Sequence, residues 1–250
     1  MNTQFVLTLG ALIALWGPVH AQDLTIMSGG AAKAGLSEAL IAYENSSGQK
    51  AATEYVPMGP LLKRLGEGAA PDIVVMTVEA LQEAEKKGLI DPASKVEIGR
   101  VEIGVAVNEK APLPDIATPE SFRQTLLAAK SVVWINPATG TSGKHLAQVF
   151  EQLGIAEQIR AKSTLLEGGY VVEPVGRGEI ELGLHQITEI LPVKGIRLVG
   201  PLPAALQKQT VYVGAVTIKA KDPARAKALL AAMRAPEIRS IFAAKGFVGG

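Results

Sequence analysis

Residues 136–146, NPATGTSGKHL, bring two threonines, a serine, a lysine and a histidine together with two glycines at a strand-to-helix junction. A helix start leaves backbone N–H groups unpaired and carries a partial positive charge, so it attracts anions. Thr141, Ser142, Gly143 and Lys144 would add hydroxyl, amide and ammonium donors there, a set suited to a carboxylate or a phosphate. The stretch is no nucleotide-binding P-loop, because the G-x-x-x-x-G-K-[ST] spacing is missing. The plainer reading is a helix whose first turn is capped by Thr141 or Ser142. A second junction of the same kind follows the apolar run LTIM at 24–27, where Ser28, Gly29, Gly30, Ala31 and Ala32 lead directly into a helix. Five small residues let a ligand come close to the backbone. Lys33 then occupies a first turn that normally prefers acids. Either its ammonium meets an anion at the helix start, or it is solvated helix surface.

Three side chains could move a proton: His145, His185 and Tyr170. The positive end of a helix favours a neutral imidazole, which could act as a base near neutral pH, and His145 falls in such a first turn. His185 follows ELGL at a strand end, where functional groups of open α/β sheets gather. Each histidine also has a structural reading. Tyr170 follows Gly168 and Gly169, which either admit a ligand to the backbone or make a turn. Arg177 stands between glycines in GRG, a setting for a bidentate carboxylate grip or for a solvent-facing turn. Lys63 and Arg64 share a short helix with Leu61, Leu62 and Leu65, so at most one of them can face a ligand. Three histidines in the whole chain (the third is His20), without metal-ligand spacing and without cysteine, give no metal site, and no cofactor is expected.

These residues need a scaffold, and the pattern supplies one. Strand, helix, strand, helix, strand, helix run from DLTIMS to a helix closed by Gly88, the mark of a mainly parallel sheet. A long strand near 100–108 leaves this unit. A second α/β unit follows, and another long strand near 209–218 ends it before two terminal helices. The simplest arrangement is two lobes, 22–100 plus 216–250 and 101–215, with the chain crossing at each long strand. Two crossings make a hinge, and the cleft between the lobes is the natural ligand site. The alternative is one continuous sheet.

Composition narrows the partners. The chain has 250 residues, 48% of them hydrophobic and 20% charged, with a formal net charge of +1, so no bulk field points to nucleic acid or to an acidic membrane. The chain is expected to act as a monomer on a small anionic ligand, a carboxylate above all. Residues 1–21 read as a signal peptide: an apolar run, FVLTLGALIALW, precedes Val19 and Ala21 at the small-residue positions of a cleavage site. Export to the periplasm with cleavage near Ala21 is expected.

The sequence also resembles the type II periplasmic binding proteins, within them the molybdate-receptor-like group. The likeness is carried by LTIMSGGAAKAG, GEGAAPDIVVMTVEALQEAEKKGLID, NPATGTSGKHLAQVFEQLGI, GRGEIELGLHQITEI and APEIRSIFAAKGF. It implies an α/β, two-lobed fold with two crossover strands and an oxyanion held in the cleft without metal. Molybdate receptors of this group place a serine hydroxyl after each of the first two strands. Here Ala31 stands at the first place, with Ser28 a turn earlier, and Met58 beside Gly59 at the second; in lobe two Ser142 has gained a hydroxyl and Gln186 replaces a tyrosine. SGGAAKAG and TSG look more like a second branch of the group, the aconitate isomerases. That likeness implies double-bond transposition in a tricarboxylate by allylic proton transfer. The receptor branch implies instead passive binding of a small anion and delivery to an ABC permease.

Overall fold

The computed structural model describes residues 23–249; the expected signal peptide lies outside them. Two five-stranded sheets form the two lobes. In lobe one, β1 (Leu24–Ser28) passes through a single 3-10 turn (Gly30–Ala32) into α1 (Lys33–Ser47). Then come β2 (Ala51–Tyr55), α2 (Met58–Gly66), β3 (Ile73–Thr77), α3 (Val78–Lys86) and β4 (Val96–Val101). Lobe two holds β5 (Ile103–Asn108), α4 (Pro119–Ala128), β6 (Val132–Ile135), α5 (Thr141–Gln152), α6 (Ala156–Arg160) and β7 (Ser163–Leu166). It continues with α7 (Glu173–Gly176), β8 (Leu182–Gln186), α8 (Ile187–Ile190) and β9 (Ile196–Pro201). The chain ends with β10 (Thr210–Val216), α9 (Pro223–Ala232) and α10 (Pro236–Ala244).

The sheets share one plan. Lobe one is ordered β2-β1-β3-β10-β4 and lobe two β7-β6-β8-β5-β9. In each, three parallel strands are joined by an antiparallel strand with a further strand beyond it. The central strands β3 (IVVMT) and β8 (LGLHQ) are buried throughout, as expected for strands covered on both faces. The edge strand β2 alternates half-buried and exposed residues. Leu36, Tyr43, Leu229, Leu230, Ile238 and Phe242 cover one face of the first sheet, and Leu61, Leu65, Leu81 and Ile90 cover the other. Phe122, Leu126, Leu146, Phe150 and Ile159 pack on the second sheet.

The crossings differ from expectation in detail. The long strand expected near 100–108 is two strands, β4 and β5, parted at Glu102. The strand near 209–218 does not cross at all. It is β10, paired with β3 and β4 inside lobe one. The return crossing is the loop 202–209, so lobe two ends before β10 rather than at 215. A run of Thr, Val and Tyr announces a strand but does not name its partners.

At the hinge the two crossings are tied together. The Ile103 N–H donates to Gln207 Oε1 (3.1 Å), Gln207 Nε2 donates to the Ile103 carbonyl (2.8 Å), and Gln209 Nε2 donates to Glu102 Oε1 (2.9 Å). The lobes also meet on the far side of the cleft, where the Gly59 N–H donates to the Thr139 carbonyl at 3.4 Å. Among the described residues no helix is long and apolar enough to cross a membrane.

Candidate functional site

The strand order puts the carboxyl ends of β1, β6 and β8 around one cleft, the place where open α/β sheets hold ligands. Gly29 and Gly30 leave β1. Gly140 and Thr141 follow β6, and His185 and Gln186 end β8. They enclose a cavity of about 150 Å³, a size that holds a ligand of roughly benzene dimensions or slightly larger.

Both helix starts are open toward it. Among the described residues no side chain caps the turn at Gly30 or the start of α5 at Gly140. The simple capping reading of Thr141 and Ser142 therefore does not hold. The α5 start is pressed onto the end of β6. A Cβ at Gly140 would lie 2.4 Å from the Ile135 side chain, and one at Gly143 only 2.2 Å from the Ile135 carbonyl oxygen. Glycine at these two positions is what lets the helix begin at the cavity wall.

The freed Ser142 hydroxyl turns to His185. Ser142 Oγ and His185 Nδ1 are 3.2 Å apart, and both residues are buried. On the other side of the ring, His185 Nε2 lies 3.1 Å from Glu189 Oε2. That pair is out of line for a hydrogen bond, so Nε2 is a buried nitrogen without a hydrogen-bond partner. Glu189 lies four residues after His185, across the end of β8 and on the single turn α8, and its second oxygen points at lobe one. A Cβ on Gly30 would be 2.7 Å from Glu189 Oε1. A hydroxyl, an imidazole and a carboxylate thus form a chain that crosses from α5 to the first helix start.

Around this chain, Lys33 Nζ stands 5.0 Å from the Tyr170 ring centre and 5.8 Å from that of Tyr55. Burial, followed by the charges of Glu189 and Glu173, pushes the Tyr170 phenol up. Burial, ahead of the charges of Glu189 and Glu79, pushes Tyr212 strongly up. Both phenols stay protonated at neutral pH and are donors rather than bases. Tyr55 is raised by burial too, against a hydrogen bond shared with Ser37 (2.8 Å). Gln186 is buried with Oε1 unpartnered, its Nε2 turned to Thr210 Oγ1 at 3.4 Å.

Of the residues singled out in the sequence, Gly29, Gly30, Ala31, Lys33, Met58, Thr141, Ser142, Gly168, Gly169, Tyr170, His185 and Gln186 line the cavity. Six others do not. Ser28 is buried, its hydroxyl donating to the Gly29 carbonyl (3.1 Å). Gly59 faces Ala138 and Thr139 of the opposite lobe, and Gly143, in the first turn of α5, is packed on the Ile135 carbonyl at the end of β6. Lys144 and His145 border a neighbouring hollow. His145 Nε2 donates to the Leu206 carbonyl (2.8 Å), pinning the return crossing to α5. Because a carbonyl only accepts, the proton is on Nε2 and the ring is a structural strut. Arg177 is exposed, its fork closed on Glu179 (2.7 and 2.9 Å) with Glu173 nearby. Lys63 and Arg64 pair with Glu67 and Glu54.

Glu189, Tyr55 and Tyr212 line the cavity without having been singled out. No helix-face spacing marks the carboxylate, because His185 ends a strand and Glu189 sits on a separate single turn. Among the described residues no group of three or more His, Asp or Glu side chains could hold a metal ion.

The bacterial extracellular solute-binding protein family model matches residues 24–248. An aconitate isomerase of a Pseudomonas species is 34% identical over 234 residues, covering 90% of this chain and 88% of that one. The periplasmic molybdate-binding protein of Azotobacter vinelandii superposes with a TM-score of 0.78 at 16% identity, over 91% of this chain and 100% of that one. The sulfate-binding protein of Mycobacterium tuberculosis gives 0.72 at 17% identity, over 91% and 86%. The chain belongs to the bacterial extracellular solute-binding protein family, with the two-lobed fold of its periplasmic members.

Proposed function

We propose that this protein is an exported isomerase that shifts the double bond of a tricarboxylate, interconverting trans- and cis-aconitate by allylic proton transfer. One observation carries this reading: the Ser142–His185–Glu189 chain opens into the anion cavity. A carboxylate facing a bound anion weakens binding, so a protein that only holds the anion has no use for it. A protein that moves a proton does. The 34% identity to an aconitate isomerase supports the same reaction.

Two helix starts aimed from opposite lobes, at Gly29–Ala31 and Gly140–Ser142, can pin two carboxylates of one ligand. Lys33 and the protonated phenols of Tyr170 and Tyr212 add donors for the charge that develops when a proton leaves carbon. Gln186, with its amide turned over, would offer N–H instead of an unpaired oxygen. Ala31 and Met58 bring no hydroxyls, which disfavours a tetrahedral oxyanion such as molybdate.

The second reading, a receptor that delivers a small anion to a membrane permease, has the family and the molybdate- and sulfate-binding neighbours behind it. Thermal shift against molybdate, tungstate, sulfate, phosphate, citrate and both aconitates separates ligand classes by mass action. Turnover of aconitate followed from about pH 6 to 9, the range where an imidazole-linked site responds, separates enzyme from receptor. Ligand-induced stabilisation by aconitate without turnover at any pH leaves the receptor reading standing.

A further inference from the structure

We infer that Glu189 is the group that carries the proton, and that His185, held by Ser142, is its positioning residue. This rests on the isomerase reading above. Glu189 is the carboxylate that lines the cavity, with Oε2 at 3.1 Å from His185 Nε2 and Oε1 beside Gly30. The imidazole is the wrong candidate for direct contact. Its ring is 1% exposed, Nδ1 is taken by Ser142, and Nε2 lies 3.1 Å from Glu189 Oε2. The phenols of Tyr170 and Tyr212, pushed up by burial, already hold their protons and do not serve as bases. His145 lies outside the cavity.

The step balances with one carboxylate. A Glu189 oxygen takes a proton from the ligand's methylene carbon, so a C–H bond breaks and an O–H bond forms. The electron pair spreads through the adjoining double bond into the neighbouring ligand carboxylate, where helix-start N–H groups meet it. The same proton then goes to the carbon two positions away; the O–H bond breaks and a C–H bond forms. The double bond has moved, Glu189 is ionised again, and nothing else is consumed. Anion–carboxylate repulsion in the bound state is relieved when Glu189 accepts the proton, which is the direction the reaction requires. The buried, unpartnered Nε2 is placed to form a hydrogen bond with Oε2 after a small rotation of the carboxylate. That gives the carboxylate one preferred orientation.

The test compares turnover and ligand-induced thermal shift in wild type, Glu189→Gln, Glu189→Asp, His185→Ala and His185→Gln, with trans-aconitate as probe. Glu189→Gln is expected to lose about 10²–10⁴-fold in kcat, the usual worth of a general base, while trans-aconitate still raises its Tm. Should that variant fail to fold, Glu189→Asp serves: its withdrawn carboxylate lowers kcat at least about tenfold with little change in KM. His185→Ala is expected to lower kcat with KM nearly constant, and His185→Gln, which can still donate to Glu189, to recover a good part of the loss. An active wild type whose Glu189 variants stay within a few-fold in kcat overturns this assignment alone. A wild type that binds aconitate but never turns it over overturns the isomerase reading and the assignment with it.

Discussion

Gln207 holds both backbone groups of Ile103, accepting from its N–H at 3.1 Å and donating to its carbonyl at 2.8 Å. These residues lie on the two chain crossings, so one side-chain amide does for the hinge what a ladder of strand hydrogen bonds does inside a sheet. Removing it leaves the Ile103 N–H without its partner, while the Ile103 carbonyl keeps the Leu202 N–H at 3.0 Å. Gln207→Ala is expected to destabilise the protein by about 1–3 kcal/mol, measured by urea unfolding. It is also expected to speed proteolysis in the 202–209 loop relative to wild type.

Asp72 ties β3 to its neighbours at the other end of lobe one. Its Oδ2 accepts from the Thr25 N–H (2.8 Å) and hydroxyl (2.7 Å), and Oδ1 from the Lys221 N–H (2.7 Å). Burial pushes the carboxyl up, but the hydrogen bonds from Thr25 and from the Lys221 and Asp222 amides together outweigh it and hold the carboxyl below its ordinary value. A folded-state value below the unfolded one gives stability that is present above the unfolded pKa of about 3.9 and is lost as pH falls through the folded value. Asp72→Asn is therefore expected to lower Tm at pH 7. It should also flatten the fall of Tm below about pH 4. Equal acid slopes for both proteins would show that Asp72 does not drive that limb.

The strand–helix alternation and the two open helix starts could be read from the chain because each depends on local pattern: apolar runs ending in Ser28-Gly29-Gly30 and in Gly140-Thr141-Ser142. What escaped depends on distance. The edge strand β7 is half exposed and has no apolar signature, and α6, α7 and α8 are one turn or little more. Arg177 between glycines fitted a ligand grip and a solvent-facing turn equally, and its partner is Glu179, two residues on. His145 in a helix start could be read as a base or as a structural histidine, and the loop that claims it comes from residue 206. Glu189 went unread because a single helical turn carries too little periodicity to say which way its third residue points.

Closure of the lobes is expected to depend on the absence of a side chain at Gly168. A Cβ there would lie 2.7 Å from Pro57 Cγ of the opposite lobe, against a ring that cannot swing aside. Gly168 is not among the glycines at positive φ, so alanine tests space and not backbone strain. Gly168→Ala is expected to weaken ligand binding by about 1–2 kcal/mol, roughly five- to thirtyfold in Kd. The Tm of the free protein should barely move. Calorimetry showing unchanged affinity would mean that Pro57 and Gly168 do not approach in the bound state.

Lys33 decides how the cavity greets its ligand. It opens α1, in a turn where a cation is unfavourable for the helix itself. Its ammonium is held between the rings of Tyr170 and Tyr55, contacts that attract a cation electrostatically. A lysine kept at a helix start by two rings, at the rim of a cavity whose other charge is a carboxylate, is placed to draw in an anion. Lys33→Gln keeps the length and the hydrogen-bonding tip but removes the charge. It is expected to raise KM for aconitate about tenfold with kcat nearly unchanged, the signature of lost binding that is equal in ground and transition states. Because an exposed charge is screened by salt, the wild-type KM should climb between low and physiological ionic strength more steeply than that of the variant. Identical KM values for the two proteins at low salt would return Lys33 to plain solvated helix surface, and the anion would then rest on the two helix starts and the phenols alone.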